Sequence, residues 1–259
     1  MIDIRLAKSE DASGIVNVVR SLFDQNLLNT FIYGASGITQ YIADQISIRD
    51  CGSDTVYVVA LDDGIVIGMA EMRGVGELMF LNYIGILPEY QAQGIGRQLM
   101  KTGVNALGRN GFERIILDVL TSNMSARGWY DRIGFQPQYY MTWWDIALQQ
   151  TDADGGIIIG YPQARVCYDN FGFAQFRVAT PSGDYAVGLM CQEWYRITQV
   201  PALIDPVLPS VLRKFDASRR ILAILQDDHM PDHAQDQARP IASSVRLAAN
   251  PDDLIERLS

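Results

Sequence analysis

Along residues 1–149 the apolar positions switch between a period of two and a period of 3.6, and each switch marks an element. Ile2 to Leu6 alternates as a short strand, and Glu10 to Phe23 sets Ile15, Val18, Val19 and Leu22 on one helical stripe. A loop of aromatic and small residues, Asn29 to Gly37, precedes a second helix over Ile38 to Ile48. Thr55 to Leu61 is a β-branched run, Asp62-Asp63-Gly64 a turn signal, and Ile65 to Met72 its return strand. Gly74 and Gly76 mark another turn before the apolar strand Glu77 to Leu87, which Pro88 closes. A helix with Ile95, Leu99, Met100, Val104 and Leu107 on its face runs to about Arg109 and stops at Asn110-Gly111. Arg114 to Leu120 reads as a buried strand, Asn123 to Ile133 as a helix closed by Gly134, and Phe135 to Leu148 as two final strands. The sequence predicts an α+β domain with a mixed sheet.

Thr151 to Gly156 is a polar break, which divides the chain into residues 1–149 and a smaller α+β region, 155–259. In that region Phe173 to Ala179 and Tyr185 to Cys191 flank the turn Pro181-Ser182-Gly183-Asp184 as a hairpin. Pro206 to Phe215 reads as a helix, Arg220 to Gln226 as a strand, and Asp228 to Pro240 as a polar loop. A strand at Ser244 to Ala248 and a helix from Pro251, capped by Asn250, complete it. Ala126-Arg127, Tyr130-Asp131 and Gly134-Phe135 recur as Ala164-Arg165, Tyr168-Asp169 and Gly172-Phe173 at an offset of 38, a decayed partial duplication or chance.

Composition narrows the function classes. An apolar fraction of 48% and a charged fraction of 20% suit a globular chain with a real core. A net charge of −9 argues against nucleic-acid binding, which needs a basic face. Cys51, Cys167 and Cys191 are too scattered for a zinc site, and Pro231 breaks the i, i+4 pair His229 and His233, so no metal is expected. The opening Met-Ile-Asp-Ile-Arg has no basic-then-apolar signal pattern and no apolar run spans a bilayer, so a cytoplasmic location is expected.

Chemistry concentrates where the strand ending at Ile86-Leu87-Pro88 passes through Gln91-Ala92-Gln93-Gly94-Ile95-Gly96 into a helix. Glycines let the main chain approach a ligand, and the first-turn N–H groups point outward at the positive helix end, which makes an anion site. Leu99 stands where a dinucleotide fingerprint needs its third glycine, and Arg97-Gln98 replace the Lys-Ser/Thr of a P-loop.

The segment resembles the GNAT superfamily of acetyl-CoA-dependent N-acetyltransferases, with signature Q/R-x-x-G-x-G/A after a strand ending V-x-P. Gln91, Gly94 and Gly96 fill the signature, and Asn123, Ala126, Tyr130, Gly134 and Phe135 match the family's N-x-x-A-x-x-x-Y-x-x-x-G-F helix. Leu117-Asp118-Val119 matches the preceding strand, and the resemblance covers residues 1 to about 149. It implies a GNAT-type, mainly antiparallel mixed sheet flanked by helices, binding acetyl-CoA as acyl donor. The strand through Leu87 would splay from the one after Arg114, freeing main-chain groups at Ile84, Gly85 and Ile86 for the pantetheine arm. Gln91, Ala92, Gln93, Gly94, Ile95, Gly96 and Arg97 would hold the pyrophosphate, and Asn123, Ala126 and Tyr130 would flank the cofactor. Tyr130 would protonate the departing thiolate.

The resemblance stops short on the acceptor side. Phe80 occupies the position where some members carry a glutamate base. Glu71, Glu77 and Asp118 are the alternative bases, and Asn82 a water holder; an amine arriving neutral would need none of them at attack. Phe31, Tyr33, Tyr139 and Trp143, with Tyr140 and Trp144, would wall the acceptor pocket or pack in the core. The expected activity is direct acetyl transfer to a primary amine of a small molecule or peptide; the rival is a non-catalytic acyl-CoA-binding sensor. The C-terminal region would shape the acceptor site or form a homodimer contact.

Overall fold

A computed structural model of the protein describes all residues except 109–110, 228 and 232–237. The helix stop expected at Asn110, the second histidine, His233, and part of the polar loop 228–240 lie outside the described residues.

The strands are β1 Asp3–Leu6, β2 Thr55–Asp62, β3 Ile65–Val75, β4 Leu78–Ile86, β5 Arg114–Leu120, β6 Gln136–Ile146, β7 Ile157–Ile159, β8 Phe173–Thr180, β9 Gly183–Met190, β10 Trp194–Ile197, β11 Arg220–Gln226 and β12 Ala238–Ala249. The helices are α1 Ala12–Leu22, α2 Gln25–Leu28, α3 Ile38–Ser47, α4 Ile95–Leu107, α5 Met124–Arg132, α6 Tyr161–Phe171, α7 Val200–Ile204, α8 Val207–Asp216 and α9 Pro251–Arg257. No helix among the described residues is long and apolar enough to cross a membrane. No group of three potential metal ligands gathers among them either.

Two compact units form, and neither is contiguous in sequence. Unit 1 comprises Met1–Asp24, Thr39–Gln138 and Val245–Ser259; unit 2 comprises Gln25–Ile38 and Tyr139–Ser244. This corrects the expected division into 1–149 and 155–259. The physical reason is burial of the chain's last apolar residues. Val245, Leu247, Leu254 and Leu258 pack in one core with Val58, Met72, Met79, Leu81, Leu99, Val104 and Leu117, all of unit 1.

Within unit 1 the strand order is β1-β2-β3-β4-β5, with the end of β12 beside β5. The pairs from β1 to β4 are antiparallel, and β4 and β5 are parallel. The helical stripe of α1 is buried at Ile15, Val16, Val18 and Val19.

Unit 2 has the order β7-β8-β9-β10-β11-β6, again antiparallel through its first four strands and parallel between β10 and β11. Its core gathers Phe176, Val178, Val187, Tyr195, Ile197, Leu208, Leu212 and Ala223. Strand, helix, antiparallel meander, helix and parallel strand therefore occur in both units. Unit 2 repeats the architecture of unit 1, where a different small domain was expected.

Within Phe135 to Leu148 one 11-residue strand forms, β6, where two were expected, because nothing interrupts its alternation. The echo at offset 38 is not this repeat. Its first copy lies on α5, after β5, and its second on α6, before β8. What the copies share is a helix closed on a left-handed glycine, Gly134 at φ 99° and Gly172 at φ 79°, followed by phenylalanine.

Candidate functional site

The turn between β4 and α4 is built to present main-chain donors. Ala92 and Gly94 both take left-handed conformations, at φ 60° and 80°. Gly94 does so at no steric cost, whereas Ala92 carries strain of about 1–2 kcal/mol. The side-chain amides of Gln91 and Gln93 brace the turn by donating to the carbonyls of Ile86 (2.9 Å) and Glu89 (3.3 Å). The helix ladder begins where Gln98 N–H donates to Gly94 at 3.3 Å, so the N–H groups of Ile95, Gly96 and Arg97 have no helical partner. Gln91, Ala92, Gln93 and Gly94 are exposed.

Gly96 is a packing glycine. A Cβ there would lie 3.3 Å from Ile86 Cδ1 and 3.4 Å from Trp129 Cζ2. The side chain of Arg97, a residue expected at the pyrophosphate, donates to the Arg257 carbonyl at 2.6 Å, at the end of α9.

β4 departs from its neighbour as the resemblance implies. Its parallel ladder with β5 runs from Leu78 to Leu81 and ends there. Toward β3 the register slips at the same point, because Glu71 pairs with Tyr83 and Met72 with Leu81, leaving Asn82 as the extra residue of a bulge. Leu87 N–H donates to the Ile67 carbonyl at 2.9 Å. Alternation along the strand then turns the N–H and C=O of Ile84 and Ile86 away from β3, beyond the end of the β5 ladder. Gly85 faces β3, and a Cβ there would sit 2.4 Å from Leu22 Cδ1.

A polar cluster occupies the bulge. Glu71 is buried, and Tyr57 on β2 and Tyr83 on β4 are its register partners on either side. Asn82 Nδ2 donates to Glu71 Oε1 at 2.6 Å. The Tyr57 phenol is pushed well above its ordinary range, first by burial and then by the negative charge of Glu71. Two residues singled out separately in the sequence are thus one hydrogen-bonded pair.

The other carboxylates are placed differently. Asp118 accepts two hydrogen bonds from the Arg246 guanidinium, at 2.5 and 2.7 Å, which occupies both of its oxygens. Glu77 is exposed at the β3–β4 turn. Two guanidinium groups, those of Arg73 and Arg246, lie over the Phe80 ring, each 5.4 Å from its centroid.

On α5, Asn123 is the N-cap, and its side-chain oxygen accepts from Ala126 N–H at 3.1 Å. Ala126 packs against the unit 1 core. Tyr130 is buried, with Trp129 and Phe135 at centroid distances of 5.0 and 5.5 Å. Burial raises its phenol pKa well above the usual tyrosine range, so the hydroxyl keeps its proton.

The expected acceptor aromatics all belong to unit 2. Tyr33 is fully buried, and Trp143 is buried with Nε1 donating to Ser244 Oγ at 3.0 Å and Phe31 edge-on at 5.3 Å. Tyr33 and Trp143 are therefore core side chains, because each has found apolar neighbours or a polar partner inside the unit; Tyr139 is half-buried. Sequence reasoning missed Tyr57, Tyr83, Arg73, Arg246 and Trp129. Tyr57 interrupts an aliphatic run with a hydroxyl that needs a partner, and that was its only signal.

Among the described residues, unit 2 lacks the equivalent donor features. All four residues of β10 pair with β11, so no free strand end follows. At the start of α8 the Asp205 carboxylate accepts from Val207 N–H at 2.8 Å and from Thr180 Oγ1 at 2.5 Å, filling the place an anion would take.

Known proteins resemble this chain in part of its sequence and in its fold. An 81-residue stretch is 32% identical to a Bacillus subtilis (strain 168) protein named "Putative [ribosomal protein bS18]-alanine N-acetyltransferase", covering 31% of this chain and 54% of that protein. The chain thus spans about half the length of that relative. A Pyrococcus horikoshii structure described as "A Putative Acetyltransferase" superposes with a TM-score of 0.65 at 14% identity, over 96% of this chain and 89% of that one. A "Tandem GNAT protein from the clavulanic acid biosynthesis pathway" gives 0.63 at 12% identity, over 97% and 99%. At these identities the two structures establish the fold alone. Residues 26–135 match the family model described as the acetyltransferase (GNAT) family.

Proposed function

We propose that the chain is an acyltransferase that moves the acetyl group of acetyl-CoA directly to a primary amine of a small molecule or peptide. One observation carries the reading: β4 ends its ladder with β5, bulges at Asn82 beside the buried Glu71, and leads into the exposed N–H cradle of α4. The free end of β4 leads into the anion site at α4, and the carboxylate on β3 lies beside it at the bulge. The cradle takes the pyrophosphate, and the main chain at Ile84 and Ile86 pairs with the pantetheine amides as an added strand would.

The amine nitrogen attacks the thioester carbonyl carbon, a C–N bond forms and the C–S bond breaks. Glu71, held by Asn82, takes the proton lost by the amine. Tyr130, kept neutral by burial, gives its proton to the thiolate of coenzyme A. The Bacillus relative's printed name, which specifies an alanine of a ribosomal protein, supports a peptide amine as one acceptor class.

The test is thiol release from acetyl-CoA with polyamines, amino acids, aminoglycosides and peptides in turn. Amine-dependent release supports the proposal. Tight acetyl-CoA binding with no release across the panel overturns it in favour of a binding module.

A further inference from the structure

We propose that Arg73 reads a negatively charged group of the acceptor, a carboxylate or a phosphate, while Glu71 receives its amine. The inference deepens the acyl-transfer reading above and rests on it.

Alternation along β3 puts Glu71 and Arg73 on one face and Met72, a core residue, on the other. Phe80 is the register partner of Arg73, and its neighbours Met79 and Leu81 are core residues. Glu71, Arg73 and Phe80 therefore share the face opposite that core. Two residues along a strand separate Glu71 from Arg73 by about 7 Å at the backbone.

Phe80 is a platform with two cations over its ring, but the two cations differ. Asp118 engages Arg246 through both carboxylate oxygens. Arg73 is exposed, and among the described residues no carboxylate pairs with it; its contact is the Phe80 ring. Stacking on an aromatic face fixes the plane of a guanidinium and leaves its edge donors available for a bidentate oxyanion. The stack thus presents a positioned charge beside the proposed base. Phe80, which replaces the expected carboxylate, has this positioning role.

The test uses the full chain saturated with coenzyme A, titrated by calorimetry with ω-amino acids from glycine to 5-aminopentanoate and with their carboxamides. Phosphoethanolamine and ethanolamine form a second arm that separates phosphate from carboxylate recognition. At least one anionic probe is expected to bind about 10- to 100-fold tighter than its neutral counterpart. Arg73→Met and Arg73→Gln should abolish that preference with coenzyme A affinity unchanged, and Arg73→Lys should keep part of it. Equal binding of charged and neutral probes, a preference that survives in Arg73→Met, or no binding of any probe overturns the proposal. The readout is binding without turnover, so its failure is distinct from absence of thiol release, which bears on the acyl-transfer reading.

Discussion

Asn82, the extra residue of the β4 bulge, donates a 2.6 Å hydrogen bond to the buried carboxylate of Glu71, whose register partners across β2 and β4 are Tyr57 and Tyr83. A single slip in register thus fixes where a buried negative charge sits relative to the free end of β4. If Glu71 accepts the amine proton, Glu71→Gln should lower kcat/KM for the amine by roughly 10²–10³-fold with acetyl-CoA affinity kept. Asn82→Ala should cost less, about tenfold, because it loosens the carboxylate without removing it. Steady-state kinetics with both substrates varied checks this. A Glu71→Gln enzyme of normal rate would exclude the residue as base.

Asp118 provides the contrast. Its two oxygens are engaged by Arg246, 128 positions later in the chain. Asp118→Asn should therefore lower stability by about 1–3 kcal/mol, by weakening a partly buried charge pair, while kcat changes little. Urea unfolding and initial rates on the same preparation separate the two effects. A collapse of kcat with unchanged stability would restore Asp118 as a base.

Tyr130 makes a prediction with a definite sign in pH. Its ordinary value of 10.0 is raised by burial, as are those of Tyr57 and Tyr195. In the unfolded chain these phenols ionise near pH 10, whereas in the folded chain they hold their protons to higher pH. Above pH 10 the folded state binds more protons, so stability falls as pH rises; below about pH 9 these groups leave it flat. Thermal melts from pH 8 to 11 should show this onset, and Tyr130→Phe should shallow the slope. The same variant should lose about 10²-fold or more in kcat with acetyl-CoA binding retained. An unchanged rate in Tyr130→Phe would remove the thiolate-acid role.

How much of this was legible in the sequence follows from range. The cradle was legible because its signals are local: Pro88, two glycines and a helix stripe lie within one short stretch. The helix from Asn123 to Tyr130 was legible for the same reason. Glu71 and Asn82 were visible as candidates, but their pairing depends on a one-residue slip that no periodicity reports. The partnership of Asp118 with Arg246 was hidden because a contact at that separation is set by strand order alone. Unit 2 was under-read because β7 and β10 have three and four residues, too short for alternation to register. The exchange of terminal segments was invisible too, since Leu254 and Leu258 form the same stripe whichever core receives them.

On the acyl-transfer reading proposed above, the repeated architecture raises the question of how many acetyl-CoA molecules one chain would hold, and the local geometry predicts one. A donor site needs a strand end free of its neighbour and a helix start open to an anion. β4 and α4 supply both in unit 1. In unit 2 the paired length of β10 removes the first and the Asp205 carboxylate removes the second. Calorimetric titration with acetyl-CoA should therefore give a stoichiometry of one per chain. Gly96→Leu should abolish binding altogether, because even its Cβ would press on Ile86 and Trp129 at 3.3 and 3.4 Å. A comparison variant is Asp205→Asn, a substitution within unit 2, which should keep the stoichiometry at one. Residual binding in Gly96→Leu, or two equivalents in the wild type, would mean that unit 2 holds a donor site despite its filled helix end.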